Sequence, residues 1–262
     1  MILALFSTGP VGIGDGLGHT NATRAKATCT ADGTLLQPDK PLTPLDWSIF
    51  PDGEQRIAFA DCAVQGPHNQ WPCRPQLLQT HTAVSGLQWH HIVAVAVDAY
   101  ALSLADLWPA PPPQQLGWHY AVVRRSVLEH GCVEGAPAFG PGGCATSTVC
   151  PGGDSDTNST CFPVIDTKVG FWDVANLHIA WAQYLLAPCS PEGWCLLGEM
   201  GKYNPASKQR LQTVAFGPGG VTATVAGVKD ENVELFAITP HHRIAVAKVI
   251  IGADGHAQAT FK

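Results

Sequence analysis

The residues best placed for chemistry lie near the start of the chain, in Ser7-Thr8-Gly9-Pro10-Val11-Gly12-Ile13-Gly14-Asp15-Gly16. An apolar run, Ile2 to Phe6, drives into this glycine-rich turn, and the turn ends on an acid. A buried parallel strand reads as a continuous apolar run, and α/β folds place their chemistry just beyond the carboxyl ends of such strands. Asp15, held between Gly14 and Gly16, is therefore placed to meet a sugar, a metal or a phosphate; the plainer alternative is a turn or cap acid. Asp46 and Trp47 pair an acid with a ring able to stack on a sugar, a pairing that also serves as packing at a domain junction.

Other reactive residue types carry weaker patterns. His90-His91 and His241-His242 invite a metal, but adjacent residues of a strand point to opposite faces. One core and one surface histidine is the better account of each pair, and no metal is expected. Trp89, Trp108, Trp118, Trp172, Trp181 and Trp194 include enough rings for a carbohydrate-stacking platform, although buried tryptophans in a sandwich are mostly core. Glu199, Lys202 and Arg210 suggest a polar cluster near an interdomain face, more simply a structural ion pair. No Gly-x-Ser-x-Gly elbow occurs, and Gly12-Ile13-Gly14-Asp15-Gly16 fails the spacing of a phosphate-binding loop, so no cofactor is expected.

The elements that must position these residues are mostly strands. At 262 residues the chain can bury a sizeable core, and its 27 glycines and 21 prolines point to many turns and a β-rich body. The net charge of −6, with no basic run, argues against nucleic acid and anionic membranes as partners. No apolar run approaches a membrane span. After Asp15, Thr20 or Asn21 is placed to cap a short helix over 22–30, and Asp32-Gly33 marks a turn before a short extended piece, Thr34 to Gln37. Pro38, Pro41 and Pro44 read as a linker. From Arg56 onward strands follow one another, strongest over Leu87 to Leu104, read as a strand pair, and most regular over Val221–Val225, Val233–Thr239, His242–Ile251 and Gln258–Phe261. The pattern predicts a mainly β chain: a βα segment over residues 1–50, then an antiparallel β-sandwich over residues 51–262.

Cysteine usage and sequons bear on compartment. Cys144, Cys150 and Cys161 crowd a Gly/Ser/Thr-rich loop, Gly140 to Thr160, that reads as a disulfide-stapled insertion. The nine cysteines leave at least one thiol unpaired within the chain. Asn21-Ala22-Thr23 and Asn158-Ser159-Thr160 are glycosylation sequons, and together these features predict a secreted, extracellular or lumenal protein. The Met1–Phe6 run is too short for a signal sequence, so Met1 is expected to be an internal start or a truncation point.

The stretch from Leu5 to Phe50 resembles the last βα unit of the barrel in the raffinose synthase and alkaline α-galactosidase group of retaining glycosidases. The resemblance rests on Ser7 to Asp15, on Gly18-His19-Thr20-Asn21, on Asp32-Gly33-Thr34-Leu35-Leu36 and on Pro41 to Asp46. Leu197-Gly198-Glu199-Met200-Gly201-Lys202-Tyr203 and Ser207-Lys208-Gln209-Arg210 also look like the C-terminal β domain of such enzymes. The resemblance implies the end of a truncated (β/α)8 barrel followed by a β-sandwich, a carbohydrate partner of the α-galactoside type, and sugar contacts at Asp15, His19, Asp46 and Trp47. It also implies that the two catalytic carboxylates lie on barrel strands upstream of the segment matched here. A whole barrel takes ~250 residues, so the missing upstream barrel segment is a possible partner, and the chain alone is expected not to hydrolyse glycosides. The alternative is a secreted carbohydrate-binding or adhesion-type β module without enzymatic activity.

Overall fold

Strand-forming sequence dominates from Gln76 onward, and the chain builds antiparallel sheets from it. The computed structural model describes residues 2–12, 19–46, 57–59, 76–110, 119–125, 135–139, 143–149, 164–165, 171–174 and 177–262. In chain order, two short helices, α1 (Ile2–Phe6) and α2 (Ala22–Lys26), precede β1 (Thr43–Pro44), β2 (Ile57–Phe59), β3 (Gln76–Val84), β4 (Leu87–Val95) and β5 (Val97–Ala101). Then come β6 (His119–Arg124), β7 (Ala145–Val149), β8 (Val164–Ile165), β9 (Phe171–Val174), β10 (Leu177–Cys189) and β11 (Cys195–Gly198). The last strands are β12 (Leu211–Gly217), β13 (Gly220–Ala226), β14 (Asn232–Ile238), β15 (Ile244–Ile250) and β16 (His256–Phe261).

Ten of the described strands form one sheet, ordered β1-β3-β4-β10-β11-β14-β15, with β6 and β9 branching from β10 and β7 pairing on β6. β10 is its axis: Trp181–Leu186 pairs with Val95–His90 on one side, and Tyr184–Cys189 pairs with Arg124–His119 on the other. A second sheet, β12-β13-β16, lays Val214, Val221, Ala223, Val225 and Phe261 into a core shared with Trp89, Leu235, Ala237 and Ile244 of the large sheet. β13 buries every second residue, which is why Gly220–Ala226 reads as a half-exposed strand. Two antiparallel sheets over a common core match the sandwich expectation in its coarse form. A third group, β2-β5-β8, pairs apart from both. Leu87–Leu104 is not a strand pair: β4 and β5 follow one another but belong to different sheets, and the chain breaks between them at Ala96, whose φ is +53°.

Two expectations are corrected. Ile2–Phe6 is a helix, not a parallel strand. Every pairing between the named strands is antiparallel, so among the described residues the run has no parallel neighbour to complete a ladder. A helix satisfies its own backbone, and Ile2, Leu5 and Phe6, at i, i+3 and i+4, then form one buried stripe. That stripe packs with Val93, Ala27 and Tyr203, on the face of the large sheet that also carries Trp89 and beside the main core. The proline segment is likewise no free linker: Asp39 N–H donates to His81 O at 2.9 Å, Pro44 pairs with Leu78 in β1, and Leu45 N–H donates to Leu77 O at 2.9 Å. Proline is tolerated there because β1 is an edge strand.

The second correction follows from the first. His90 and His91 do point to opposite faces of β4, yet both are fully buried. His90 faces Tyr120, their ring centroids 5.8 Å apart. His91 lies under Phe6, at 5.1 Å, because the N-terminal segment roofs the face that an uncovered sheet would give to water. The other pair, His241-His242, sits exposed in the turn before β15 rather than in a strand. The helix expected over 22–30 is confirmed in its first part: Asn21 caps α2, accepting from Arg24 N–H at 3.0 Å.

Burial holds both histidine rings neutral, pushing each down to about 3, with a smaller downward push on His90 from His81 and an upward pull on His91 from Asn204. A depressed histidine pKa contributes stability that is complete above the unfolded value near 6.5 and is lost as pH falls below it. Two such groups should remove about 4 kcal/mol between about pH 7 and about pH 5. Urea unfolding at the two pH values measures this, and His90→Gln or His91→Gln should each remove about half of the difference; a pH-independent midpoint contradicts the buried neutral state.

Candidate functional site

The described polar groups converge on the seam between the N-terminal segment and the sandwich. Its frame is the loop that leaves β11. Gly198 has φ +93°, and a Cβ there would lie 2.2 Å from Pro205 O, so only glycine allows the chain to close on itself at that point. The loop is then tied by Glu199 N–H to Pro205 O at 2.9 Å and by Arg210 N–H to Ser207 O at 2.9 Å. This brings Glu199, Lys202 and Arg210 to one place.

Arg210 is fully buried. Its Nε donates to Glu199 Oε2 at 2.7 Å, its Nη1 to Ala226 O at 2.7 Å and to Glu231 Oε2 at 3.1 Å, and its Nη2 to Glu231 Oε1 at 2.5 Å. The planar fork therefore holds Glu231 through two parallel bonds and Glu199 through a third. Gly227 makes room for it, since a Cβ there would meet Arg210 Nη1 at 2.5 Å. Burial draws the Arg210 proton affinity down, but the Glu231 and Glu199 carboxylates outweigh it and raise it above the ordinary value. Burial lifts Glu199 above the usual glutamate range against the pull of Arg210 and Lys202. Glu231 feels the same burial, but bonds from Arg210, Val228 N–H and Ala31 N–H bring it below that range.

The cluster reaches across to residues 26–39 at several points. Lys202 Nζ lies 3.8 Å from Glu199 Oε1 and donates to the carbonyls of Lys26 at 2.9 Å and Cys29 at 2.7 Å, at and just beyond the end of α2. Ala31 N–H donates to Glu231 Oε1 at 3.2 Å, Tyr203 N–H to Ala27 O at 2.8 Å, and Ser207 Oγ to Gln37 O at 3.1 Å. Lys208 Nζ pairs with Asp39 Oδ1 at 2.8 Å. On the sandwich side Arg125 donates to Lys202 O at 2.7 Å and lies 4.3 Å over the Tyr203 ring. Retaining glycoside hydrolysis needs two carboxyl groups ~5 Å apart with a sugar between them. Glu199 and Glu231 do not offer that space, because the Arg210 guanidinium fills it. The site is a clamp.

Of the sugar contacts expected from sequence, His19 and Asp46 are both exposed, and neither joins the buried clamp. Asp15 and Trp47 lie outside the described residues, as do Cys150, Cys161, Trp118 and the Asn158 sequon. Trp89 and Trp194 are core, Trp89 donating through Nε1 to Leu196 O at 2.7 Å. Trp108 is 58% exposed and presents its ring to solvent. Glu231 was not anticipated: a single acid beside a turn has no spacing that marks it. The disulfide Cys189–Cys195 and a bonded Cys144 are present, while Cys29 is a free thiol. Disulfides fit an oxidising compartment, and no helix among the described residues is long and apolar enough to cross a membrane.

Removing one partner of a buried ion pair strands the others, at about 3–5 kcal/mol. Arg210→Met should lose that much in chemical denaturation, and adding Glu199→Gln and Glu231→Gln should restore part of it. Lys202→Met should instead leave the sandwich intact and speed tryptic cleavage after Arg24 and Lys26 several-fold; unchanged cleavage would show that the seam does not hold the segment. The sequence matches no protein-family model, and a search of curated proteins returns no match.

Proposed function

We propose that this chain is the C-terminal part of a glycoside hydrolase-like protein of the raffinose synthase and α-galactosidase kind, with α-galactosides or related sugars as its partner and no hydrolysis by this chain alone. In this reading residues 1–50 correspond to the end of a catalytic barrel, with Ile2–Phe6 helical in place of the barrel strand, and the sandwich braces them. One observation supports it above others. Lys202 and Ser207, from the two downstream runs of the resemblance, bond to Lys26, Cys29 and Gln37, which flank its Asp32 to Leu36 run more than 150 residues earlier in the chain. A domain that held a barrel end in register would need such a directional, charge-rich contact rather than a sliding apolar one.

The secreted carbohydrate-binding module remains the second reading, favoured by the exposed ring of Trp108. The two readings put the sugar in different places. Calorimetric titration of the whole chain with α-galactosides should show binding that weakens about tenfold or more in Asp15→Asn, since a hydrogen bond to a charged group contributes about 1.5–3 kcal/mol. Weakening in Trp108→Ala, with Asp15→Asn unaffected, assigns the chain to the module instead. Absence of binding to any galactoside overturns both. Release of p-nitrophenol from an α-galactoside by the unaided chain overturns the catalytic incompleteness.

A further inference from the structure

Strand register places three ligand-bearing side chains in one row. His119 of β6 stands directly opposite Cys189 of β10, and Cys189 stands directly opposite Cys195 of β11. Directly paired residues project from the same face with Cβ atoms ~5 Å apart. One ligand atom from each of the three lies within 4.8 Å of the others. Both cysteines are buried, and His119 is half-buried. In the structure the cysteines are joined as a disulfide.

That bond is not what closes the hairpin. Ser190 N–H donates to Trp194 O at 2.8 Å, Gly193 N–H donates to Ser190 O at 2.9 Å, and Trp194 with Leu196 and Leu197 is anchored in the main core. A bridge closing so short a loop also contributes least to stability, because loop-closure entropy grows with length. The hairpin therefore has the contacts to persist with the bond open. The 239–243 turn backs the hairpin, with Pro240 against Gly193.

We propose that Cys189, Cys195 and His119 form a redox-gated site for a thiophilic divalent cation such as zinc, available only when the disulfide is reduced. A dithiol reductant transfers two electrons and two protons to the S–S bond, yielding two cysteine thiols while the dithiol becomes a cyclic disulfide. On binding, both thiols lose their protons to solvent, and the two thiolates and the neutral His119 imidazole donate lone pairs to the metal. A water completes four-coordination. Sulfur with imidazole is the donor set that selects zinc over magnesium or calcium.

The test is a cobalt titration of the full chain, reduced with a dithiol that is then removed under anaerobic conditions, with zinc competition to follow. A thiolate-to-cobalt charge-transfer band with tetrahedral visible bands is expected in the reduced chain and not in the oxidised one. The band should persist in Cys29→Ser and vanish in the double variant Cys189→Ser with Cys195→Ser. In His119→Ala affinity should fall at least about tenfold, since losing even a hydrogen-bond partner of a ligand has an effect of that size. The proposal is overturned if the band survives the double variant, if His119→Ala binds as tightly as the unaltered chain, or if the reduced, folded chain gives no band. Loss of the folded circular-dichroism spectrum on reduction alone also overturns it. Should the double serine variant fail to fold, His119→Ala decides by itself.

Discussion

The buried guanidinium of Arg210 is the interaction on which the described structure turns. A fully buried cation is tolerated only when paired and saturated with acceptors. Here two carboxylates and the Ala226 carbonyl meet it from three parts of the chain: the loop after β11, the end of β13 and the turn before β14. With Lys202 beside Glu199, two positive and two negative charges lie together, so the cluster carries no net charge. Neutrality alone does not explain its place, because an apolar replacement of equal volume can be as stable. What charges add is direction. Arg210 accepts one arrangement of Glu199 and Glu231, and Glu231 in turn receives Ala31, so the N-terminal segment docks in one register.

That docking changes the chemistry of the sheet beneath. Without the segment, β3 and β4 would leave this part of their face in water, and Thr80 and His91 would be ordinary surface residues. Covered by α1 and residues 27–45, they become interior. The ring nitrogens of His91 lie under this cover, while those of His90 lie on the opposite face against Tyr120, and neither ring has a hydrogen-bond partner for them among the described residues. Each keeps the interior sensitive to acid, because a proton admitted to either ring has no carboxylate to meet it. The cover thus couples the state of the N-terminal segment to the protonation of the core, and the clamp sets the strength of that coupling.

Much of the β architecture was legible in the residues, and the reason is periodicity. Gly220–Ala226 and Asn232–Ile238 alternate cleanly, so their limits are found to within a residue or two. Gln76–Val84 was missed because it is buried on both faces while carrying Gln79, Thr80, His81 and Thr82, and polar residues in a doubly covered strand erase the alternation. Ile2–Phe6 shows the converse. An apolar pentapeptide has no period long enough to separate strand from helix, and the decision falls to whether a neighbouring strand exists. Glu199, Lys202 and Arg210 were legible as a polar group because they are close in sequence. Glu231 was not, since only the fold brings it there.

The clamp and the cysteine row answer to different physics, and this separates their roles. The clamp binds segments distant in sequence through charges that neither oxidation nor metal would alter. The row of His119, Cys189 and Cys195 lies across adjacent strands whose backbone bonds already hold them, so the sulfur chemistry there is not needed for architecture. A bond that the fold does not need is free to change state without taking the fold with it. Conversely, Arg210 cannot change state at all, because its guanidinium stays charged at any pH the chain survives. The molecule therefore keeps its fixed charges where segments must stay in register, and its convertible atoms where the sheet is already secure.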